Sequence, residues 1–300
     1  MTEFQTILTN RAKRVERHLS LLLDDQPLPN ERARPERLMS AIRHSVLNGG
    51  KRLRPFLIME TAALFGMPIE DSLPAACAIE LIHCYSLVHD DLPAMDDDNM
   101  RRGRPTTHKA FDEATAILAG DALLTLCFDV LSRKETSPDP AIRSELVALY
   151  ARNAGLGGMV GGQMLDLEAE TSSLTEDEIL TLQAMKTGAL LRCACETGAV
   201  LANASLEDRE RLKYFGSLIG QAFQLADDIL DVTSDTETLG KQTGKDAARG
   251  KGTLVELLGL DKSRQRAQSL LSEAIDSLQP FGEQAETLRQ AARFTLERSY

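Results

Sequence analysis

Apolar residues recur three and four positions apart along most of the chain, which is the spacing of α-helices with one buried face. One such stripe comprises Leu38, Met39, Ile42, Val46 and Leu47. The Asn-Gly-Gly segment at 48–50 follows this stripe and is typical of a helix C-terminus. Pro55 suits the first turn of the next helix, where a missing backbone donor costs nothing.

Two longer segments, AACAIELIHCYSLVHDD (75–91) and TAILAGDALLTLCFDVLSR (115–133), are apolar on nearly every face. Helices of that kind lie in the centre of a large bundle. No segment shows strand-like alternation, and loops are predicted at 136–140, 172–177 and 234–252. The pattern therefore predicts an all-α protein, a single domain over residues 1–300 with about a dozen helices in one large bundle.

The composition supports a soluble protein with a substantial core. The chain has 300 residues, of which 43% are hydrophobic, and it contains no Trp. Asp and Glu outnumber Lys and Arg by 45 to 34, which gives a formal net charge of −11. Such a chain should not bind nucleic acid. An anionic ligand would need a local basic patch or bridging cations.

Nothing in the sequence predicts secretion or a membrane span. The first 18 residues, MTEFQTILTNRAKRVERH, are charged and lack the apolar core of a signal peptide. No uninterrupted run of about 18 apolar residues is present. The cysteines form no C-x-x-C pair and most lie in apolar segments, so we expect buried, reduced thiols and a cytoplasmic location. The five cysteines are Cys77, Cys84, Cys127, Cys193 and Cys195.

An acidic cluster follows the first apolar segment. It comprises Asp90, Asp91, Asp96, Asp97 and Asp98, and Arg101, Arg102 and Arg104 come directly after it. On a helix, His83, Ser86 and Asp90 share one face. An unbroken helix would put Asp96 on the wrong side, but Pro93 can end the helix and let the chain turn back towards Asp90.

A second acidic cluster lies in FQLADDILD (223–231). Asp227 and Asp231 are four residues apart, so they stack on one helix face with Gln224 one turn earlier. Carboxylates among apolar neighbours must be neutralised, and Mg2+ binds one or two carboxylates together with phosphate oxygens. The arginines above and Lys51, Lys186, Lys241 and Lys251 could bind a diphosphate. Either cluster alone fits a solvated acidic surface equally well, whereas an EF-hand is excluded because D-x-D-x-D-G is absent.

The ordered motifs resemble the trans-isoprenyl diphosphate synthase family, and within it the bacterial farnesyl diphosphate synthases. The likeness extends over roughly residues 49–259. The matching motifs are GGKRLRP (49–55), DDLPAMD (90–96), RRGRPTTH (101–108), GGQMLDLE (161–168), MKTGALL (185–191), FQLADDILD (223–231), LGKQTGKD (239–246) and GKGTLVELLG (250–259). Gly252, Leu254 and Val255 depart from the usual closing pattern, which leaves the details of lid closure open.

The resemblance implies the isoprenoid synthase fold around a deep central cavity, a homodimer, and Mg2+-dependent condensation of isopentenyl diphosphate with an allylic diphosphate. Diphosphate leaves the allylic substrate, the resulting cation adds to isopentenyl diphosphate, and a proton is lost to the released diphosphate. The implied ligands of about three Mg2+ ions are Asp90, Asp91, Asp96, Asp227, Asp228 and Asp231. The implied isopentenyl diphosphate site comprises Lys51, Arg54, His83 and Arg102.

For the allylic diphosphate, the resemblance implies Arg101, Lys186 and Lys241, with Lys251 closing nearby. Gln224, Thr187 and the Lys186 carbonyl would stabilise the cation, so Lys186, Thr187, Gln224 and Lys241 are the implied catalytic residues. Gln163 and Asp166 could support the metal side or form a structural hydrogen bond. Asp121 matches a family position without an assigned role, and we interpret Asp97 and Asp98 as a solvated continuation.

Tyr85 is the candidate for product length, because it lies five residues before Asp90 on the wall of the expected channel. A bulky ring there would stop the growing tail at fifteen carbons; the alternative is an ordinary core tyrosine whose hydroxyl bonds to a neighbouring helix. Farnesyl diphosphate is thus the expected product, with geranylgeranyl diphosphate as the alternative. A terpene cyclase and a non-catalytic partner subunit are disfavoured by the two intact acidic motifs and by GGKRLRP.

Overall fold

The computed structural model describes residues 2–172, 174–233 and 253–297. These residues are mostly helical and contain almost no strand, which confirms the all-α class. The chain divides into two compact units, Met1–Met59 with Pro68–Val147, and Glu60–Met67 with Ala148–Tyr300. This division does not test the prediction of one domain over residues 1–300, which stays a prediction.

The first unit is built on two long helices, α4 and α6, which pack along each other, with α1 and α2 added at their sides. The helices are α1 Glu3–Leu22, α2 Glu36–Val46, α3 Leu53–Ala63 (whose last turn belongs to the second unit), α4 Ile69–Asp90, α5 Thr107–Ala110, α6 Glu113–Ser132 and α7 Pro140–Ala154 (shared with the second unit).

Helix α4 forms the centre of this unit because it has hardly any polar face. Its buried side chains include Ile79, Leu81 and Ile82, which are fully inaccessible to solvent. Helix α6 begins at Asp112, whose carboxylate accepts a hydrogen bond from the Thr115 backbone N–H at 2.7 Å and so caps the first turn. The two predicted all-round apolar segments are therefore confirmed as the central helix pair.

The second unit is organised around α11, the longest helix, which packs against α10 and α13. Its elements are α8 Met159–Ala169, α9 Glu176–Gln183, a π-helix Ala184–Gly188, α10 Ala189–Leu201, α11 Leu206–Thr233, α12 Leu254–Leu258, α13 Leu260–Ser277, a 3₁₀ helix Gln279–Ala285 and α14 Glu286–Glu297. The apolar side of α11 includes Leu212, Phe215 and Ile219, all buried.

The structure differs from the sequence prediction at several boundaries. A short hairpin, β1 Met100–Arg101 and β2 Arg104–Pro105, interrupts the helical chain, although no strand was expected. Its turn residues Arg102 and Gly103 both have positive φ, 51° and 75°, which is the type I′ geometry that joins two strands tightly. Helix α9 begins inside the predicted loop 172–177, where Thr175 and Glu178 form a capping box.

The cysteine prediction holds, because all five are buried thiols that form no disulfide. The membrane prediction needs qualification. Within the described residues, α6 is long and apolar enough to cross a membrane by length and composition. One such helix is weak support for a span, since the core helix of a soluble protein passes the same test, and Asp121 and Asp129 interrupt its apolar sequence.

Candidate active site

The first acidic motif forms a tight turn at the end of α4. The backbone N–H of Asp96 donates to the carbonyl of Asp90 at 2.7 Å, and the N–H groups of Asp97 and Asp98 return to Leu92 and Asp91. The predicted reversal after Pro93 is thereby confirmed, since the chain brings Asp96 back beside Asp90. Both side chains are half-buried, so this corner of the first unit carries two partly solvated carboxylates.

Asp91 has a different environment. It is 3% exposed, and Arg101 Nε donates to its two carboxylate oxygens at 2.8 Å and 3.1 Å. The Nη2 atom of the same guanidinium lies 2.7 Å from Asp91 Oδ1 as an ion pair. Burial raises the pKa of Asp91 although Arg101 acts in the opposite direction. The structure therefore places Asp91 against Arg101, and its predicted role as a metal ligand stays a prediction.

Two of the three arginines of the β-hairpin, Arg101 and Arg102, have different partners. Arg101 pairs with Asp91, while Arg102 Nη1 donates to the Gly49 carbonyl at 2.5 Å. The Arg102 guanidinium lies against Gly50, whose positive φ of 123° is a conformation that favours glycine. The hairpin thus brings Arg102 onto the loop that carries Lys51, and two segments of the predicted isopentenyl diphosphate site meet.

His83 lies among the arginines of that site. Burial lowers its pKa well below the usual value, and the positive charges of Arg54, Arg102 and Arg101 lower it further. The imidazole is therefore neutral at pH 7. It can exchange hydrogen bonds with a bound anion without adding to the crowded positive charge.

Arg52, in the same loop, is structural. It is 3% exposed and its Nη1 donates to Glu80 of α4 at 2.5 Å, while Nη2 donates to the Val46 carbonyl at 2.6 Å. Its backbone has a positive φ of 50°. Between Lys51 and Arg54, this anchored side chain fixes the loop from which the two predicted phosphate ligands extend.

Tyr85 is buried, with 5% exposure, and its ring meets His89 edge to face at a centroid distance of 5.8 Å. Burial, together with the nearby charge of Asp90, raises the pKa of Tyr85 to about 12. No described residue forms a hydrogen bond with its hydroxyl. Among the described residues, the hydroxyl contact supposed by the core interpretation is therefore not seen, and both interpretations of Tyr85 stay predictions.

In the second unit, α11 presents its carboxylates as the spacing predicts. Asp227 and Asp231 are half-buried, whereas Asp228 is 5% exposed. Gln183 and Gln224 each donate an amide N–H to Asp228, at 2.9 Å and 3.0 Å. Asp228 is thus occupied in orienting two glutamines, and its predicted role as a metal ligand also stays a prediction.

The same network fixes the residues predicted to face a cation. Thr187 Oγ1 donates to Gln224 Oε1 at 2.9 Å, while the other end of that amide donates to Asp228. These two contacts fix the orientation of the Gln224 amide, because an amide oxygen only accepts and the amide nitrogen donates. The oxygen faces Thr187 and the nitrogen faces Asp228. Thr187, Gln224 and Asp228 therefore form one connected chain, and the predicted contact of Thr187 and Gln224 with a cation stays a prediction.

Lys186 lies in the π-helix between α9 and α10, a type of insertion that often marks functional sites. Its Nζ donates to Asp166 of α8 at 2.6 Å. A Cβ at Gly162 would lie only 2.2 Å from the Lys186 backbone nitrogen, so α8 touches the π-helix closely. Asp166 therefore supports Lys186. Gln163, one turn earlier, is half-buried, and its buried Nε2 forms no hydrogen bond with any residue that the structure describes.

The predictions for Lys241, Lys251 and the loop 234–252 lie outside the described residues. Within residues 2–172, 174–233 and 253–297, no three His, Cys, Asp or Glu side chains are grouped so that they could hold an ion by themselves. Asp97 is exposed as predicted, while Asp98 lies 3.9 Å from Arg101.

Sequence reasoning missed three supporting residues. These are Arg52, Gln183 and His89, to which the sequence analysis assigns no role. A charged residue inside an otherwise apolar helix, Glu80, was the available signal for the buried partner of Arg52. No comparable signal pointed to Gln183 or to His89.

Comparison with known proteins agrees with this geometry. The profile of the polyprenyl synthetase family matches residues 35–293. Farnesyl diphosphate synthase of Escherichia coli is 45% identical over 83% of this chain and 84% of its own, and geranylgeranyl diphosphate synthase of Cyanophora paradoxa is 41% identical over 89% and 90%. The apo crystal structure of an FPP/GFPP synthase from Zymomonas mobilis, 42% identical, superposes with a TM-score of 0.87 over 98% of both chains. The chain therefore belongs to the polyprenyl synthetase family and is a prenyltransferase.

Proposed function

We propose that this prenyltransferase joins isopentenyl diphosphate to dimethylallyl and then geranyl diphosphate, and that its main product is farnesyl diphosphate. The observation that carries the proposal is the turn that returns Asp96 to Asp90 beside an arginine-rich loop. A corner with both carboxylates and guanidinium groups suits a substrate that binds through metal ions and directly. The relative from Escherichia coli, named a farnesyl diphosphate synthase, supports the product.

The family is generally Mg2+-dependent, and the residues of this chain fit the ion. Asp90 and Asp96 offer hard oxygen donors at a partly solvated corner, and no described trio forms a closed cage. Mg2+ usually binds one or two carboxylates and completes its shell with water and phosphate oxygens. In this proposal Asp90 and Asp96 of the first unit, and Asp227 and Asp231 of the second, would hold about three ions, whose charge would neutralise a departing diphosphate.

Isopentenyl diphosphate binds in the first unit. Lys51, Arg54 and Arg102 supply positive charge, and neutral His83 supplies a hydrogen bond. The buried Arg52–Glu80 pair keeps the loop in place, so that these groups need little reordering when the anion binds.

Ionisation of the allylic diphosphate depends on residues of the second unit. Lys186, held by Asp166, binds the departing diphosphate together with Lys241 and Lys251 of the same unit. Gln224 and Thr187 direct oxygen lone pairs towards the allylic cation and keep water away from it. Their orientation is fixed before the reaction by Asp228, which is the preorganisation that makes such dipoles effective. The released diphosphate accepts the final proton.

Product length is set by Tyr85 in this proposal. The ring stands one and a half turns before Asp90 on α4, where an elongating tail would arrive. The second candidate product is geranylgeranyl diphosphate, favoured by the 41% identity to the Cyanophora paradoxa enzyme. Replacement of Tyr85 by Ala should move the product towards that length.

A homodimer and a cytoplasmic location complete the proposal. The apolar helix α6 leaves Ile117 44% and Leu118 58% exposed, a surface that a second copy of the chain could cover. Sedimentation of wild type and Leu118→Glu would test this, with a dimer and a monomer expected. The five buried, reduced cysteines suit a reducing compartment.

The decisive experiment is incubation of the purified protein with labelled isopentenyl diphosphate, dimethylallyl diphosphate and Mg2+. Dephosphorylated products are then separated by chromatography. Farnesol is the expected main product, and chelation of the metal should stop its formation. A twenty-carbon alcohol would replace the proposed product by the second candidate, a cyclic hydrocarbon would indicate a terpene cyclase, and absence of any product would overturn the proposal.

A further inference from the structure

His89 occupies the last turn of α4, four residues after Tyr85 and directly before Asp90. Residues four apart share a helix face, and the two rings meet edge to face with an interplanar angle of 80°. This contact places an imidazole behind the ring that the proposed function makes the floor of the product channel.

Helix α6 holds the His89 ring from the other side. Its Nε2 lies 3.1 Å from the carbonyl oxygen of Ile117. Because a carbonyl only accepts, Nε2 carries the proton and donates. A Cβ on Gly120 would lie 2.1 Å from the same Nε2, so the ring lies directly on the α6 backbone. The absence of a side chain at Gly120 makes this position available.

Tyr85 depends on such contacts more than a typical buried tyrosine does. No described residue forms a hydrogen bond with its hydroxyl, so packing must hold the ring. Cys127 of α6 interacts with Tyr85 and lies seven residues after Gly120, on the same helix face. Tyr85 is therefore linked to α6 through His89, whose ring lies on the α6 backbone at Gly120.

We infer that His89 is a positioning residue for product length: fixed by the Ile117 carbonyl and by the space above Gly120, it keeps the Tyr85 ring across the channel. The inference rests on the proposed function, in which Tyr85 is the floor. Without the imidazole, the Tyr85 ring can turn into the vacated space, and the channel then admits a longer tail. Pairing of His89 with Asp121 is a poor alternative, since 3.9 Å is too long for a hydrogen bond and the Asp121 side chain is 61% exposed.

The test compares product lengths of the full-length enzyme and its variants with the same substrates. We expect His89→Ala to raise the ratio of twenty-carbon to fifteen-carbon product about tenfold, a typical scale for discrimination in an apolar channel. His89→Gln retains a donor for the Ile117 carbonyl and part of the volume, so its ratio should lie between those of wild type and His89→Ala. Gly120→Ala displaces the imidazole and should also lengthen the products.

Two controls separate positioning from a loss of stability. Leu19→Ala creates a cavity in α1, away from α4 residues 85–90 in sequence, and should lower the melting temperature without changing product length. In a Tyr85→Ala background, His89→Ala should add nothing, because the ring it positions is gone. A ratio in His89→Ala equal to that of wild type, or an equal shift in both backgrounds, would overturn this inference alone. Wild type that forms no elongated product would overturn the proposed function, and this inference with it.

Discussion

The two paired aspartates, Asp90–Asp91 and Asp227–Asp228, are built alike and supported differently. In each pair the first carboxylate is half-buried and the second is buried. Successive residues of a helix point about 100° apart, so one member of a pair faces the site and the other faces the protein. A paired aspartate at the end of an apolar helix therefore supplies one candidate ligand and one supporting group.

The buried members differ in what they hold. Asp91 holds a cation, Arg101, through a bidentate contact, whereas Asp228 holds the neutral amides of Gln183 and Gln224. A cation loses a counter-charge when its carboxylate is removed, while an amide loses only a hydrogen bond. Substitution of Asp91 and substitution of Asp228 should therefore lower the free energy of unfolding by different amounts.

The largest effect should come from the first member of each pair. Asp90→Ala and Asp227→Ala should each lower kcat by about 10³-fold or more, because each removes a proposed metal ligand and with it stabilisation of the departing diphosphate. The fold should persist, since removal of one acid from a cluster relieves repulsion. The measurement is kcat of the purified variants, together with their melting temperatures.

Asp97→Asn is the matched control for this experiment. Asp97 is exposed in the same turn and has a positive φ of 49°, which Asn tolerates. Its kcat should equal that of wild type. An Asp90 or Asp227 variant with near-normal kcat would show that its carboxylate does not hold a required ion.

The second members should differ in stability. Asp91→Asn leaves the partly buried Arg101 without its carboxylate and should lower the free energy of unfolding by about 2 kcal/mol, less than for a fully buried pair because Arg101 is 23% exposed. Asp228→Asn should cost about 1 kcal/mol, because the neighbouring amides can reorient. Urea unfolding measures both, and equal losses would contradict the distinction between a held cation and held amides.

The two basic sites should separate kinetically. Arg102→Ala should raise KM for isopentenyl diphosphate about tenfold with a smaller change in kcat, since it removes binding that ground state and transition state share. Lys186→Ala should instead lower kcat about a hundredfold, because its charge supports the departing group. Arg102→Lys and Lys186→Arg should recover part of each loss, and the same kinetic defect in both Ala variants would count against two sites.

The smallest expected effect concerns acid stability of the two units. A hydrogen bond from the Thr115 backbone, followed by that from Arg37, lowers the pKa of the Asp112 carboxyl to about 2, and Thr175 lowers the pKa of Glu178 in the second unit. A carboxyl whose pKa is lower in the folded than in the unfolded state stabilises the fold at pH values above the unfolded pKa. This contribution to stability is lost as pH falls from about 4 to about 2. Asp112→Asn, which still caps α6, should show a smaller drop in urea midpoint between pH 5 and pH 3 than wild type. An equal drop would mean that this carboxylate does not contribute.

Much of this architecture follows from pattern alone, and the exceptions have physical causes. Helix positions such as α4 and α6 follow from apolar periodicity, and the return of Asp96 follows from Pro93. The hairpin does not follow from the pattern, because it depends on positive φ values at Arg102 and Gly103 and not on an alternation of apolar and polar side chains. The π-helix could not be predicted either, since the sequence MKTG (185–188) is equally compatible with an ordinary α-helix.

The site was predictable where residue type dictates chemistry and not where packing decides. Asp90, Asp227 and His83 could be proposed from charge and spacing. Whether a particular carboxylate faces a ligand or a protein partner depends on the neighbours that the fold supplies, as Asp91 and Asp228 demonstrate. His89 matters only because α6 offers a carbonyl and a glycine at the right height, and no one-dimensional pattern encodes that.

The reactivity of the buried thiols reports how often the enzyme opens locally. Burial raises the pKa of Cys84 to about 12 and raises that of Cys77, Cys193 and Cys195 as well. A thiol of this kind hardly reacts with an alkylating reagent while it is enclosed, so the labelling rate counts how often the surrounding helices part. Cys77 and Cys84 lie in the first unit and Cys193 and Cys195 in the second. Mass spectrometry of the labelled peptides would therefore measure the rate of local opening in each unit separately, without any engineered probe.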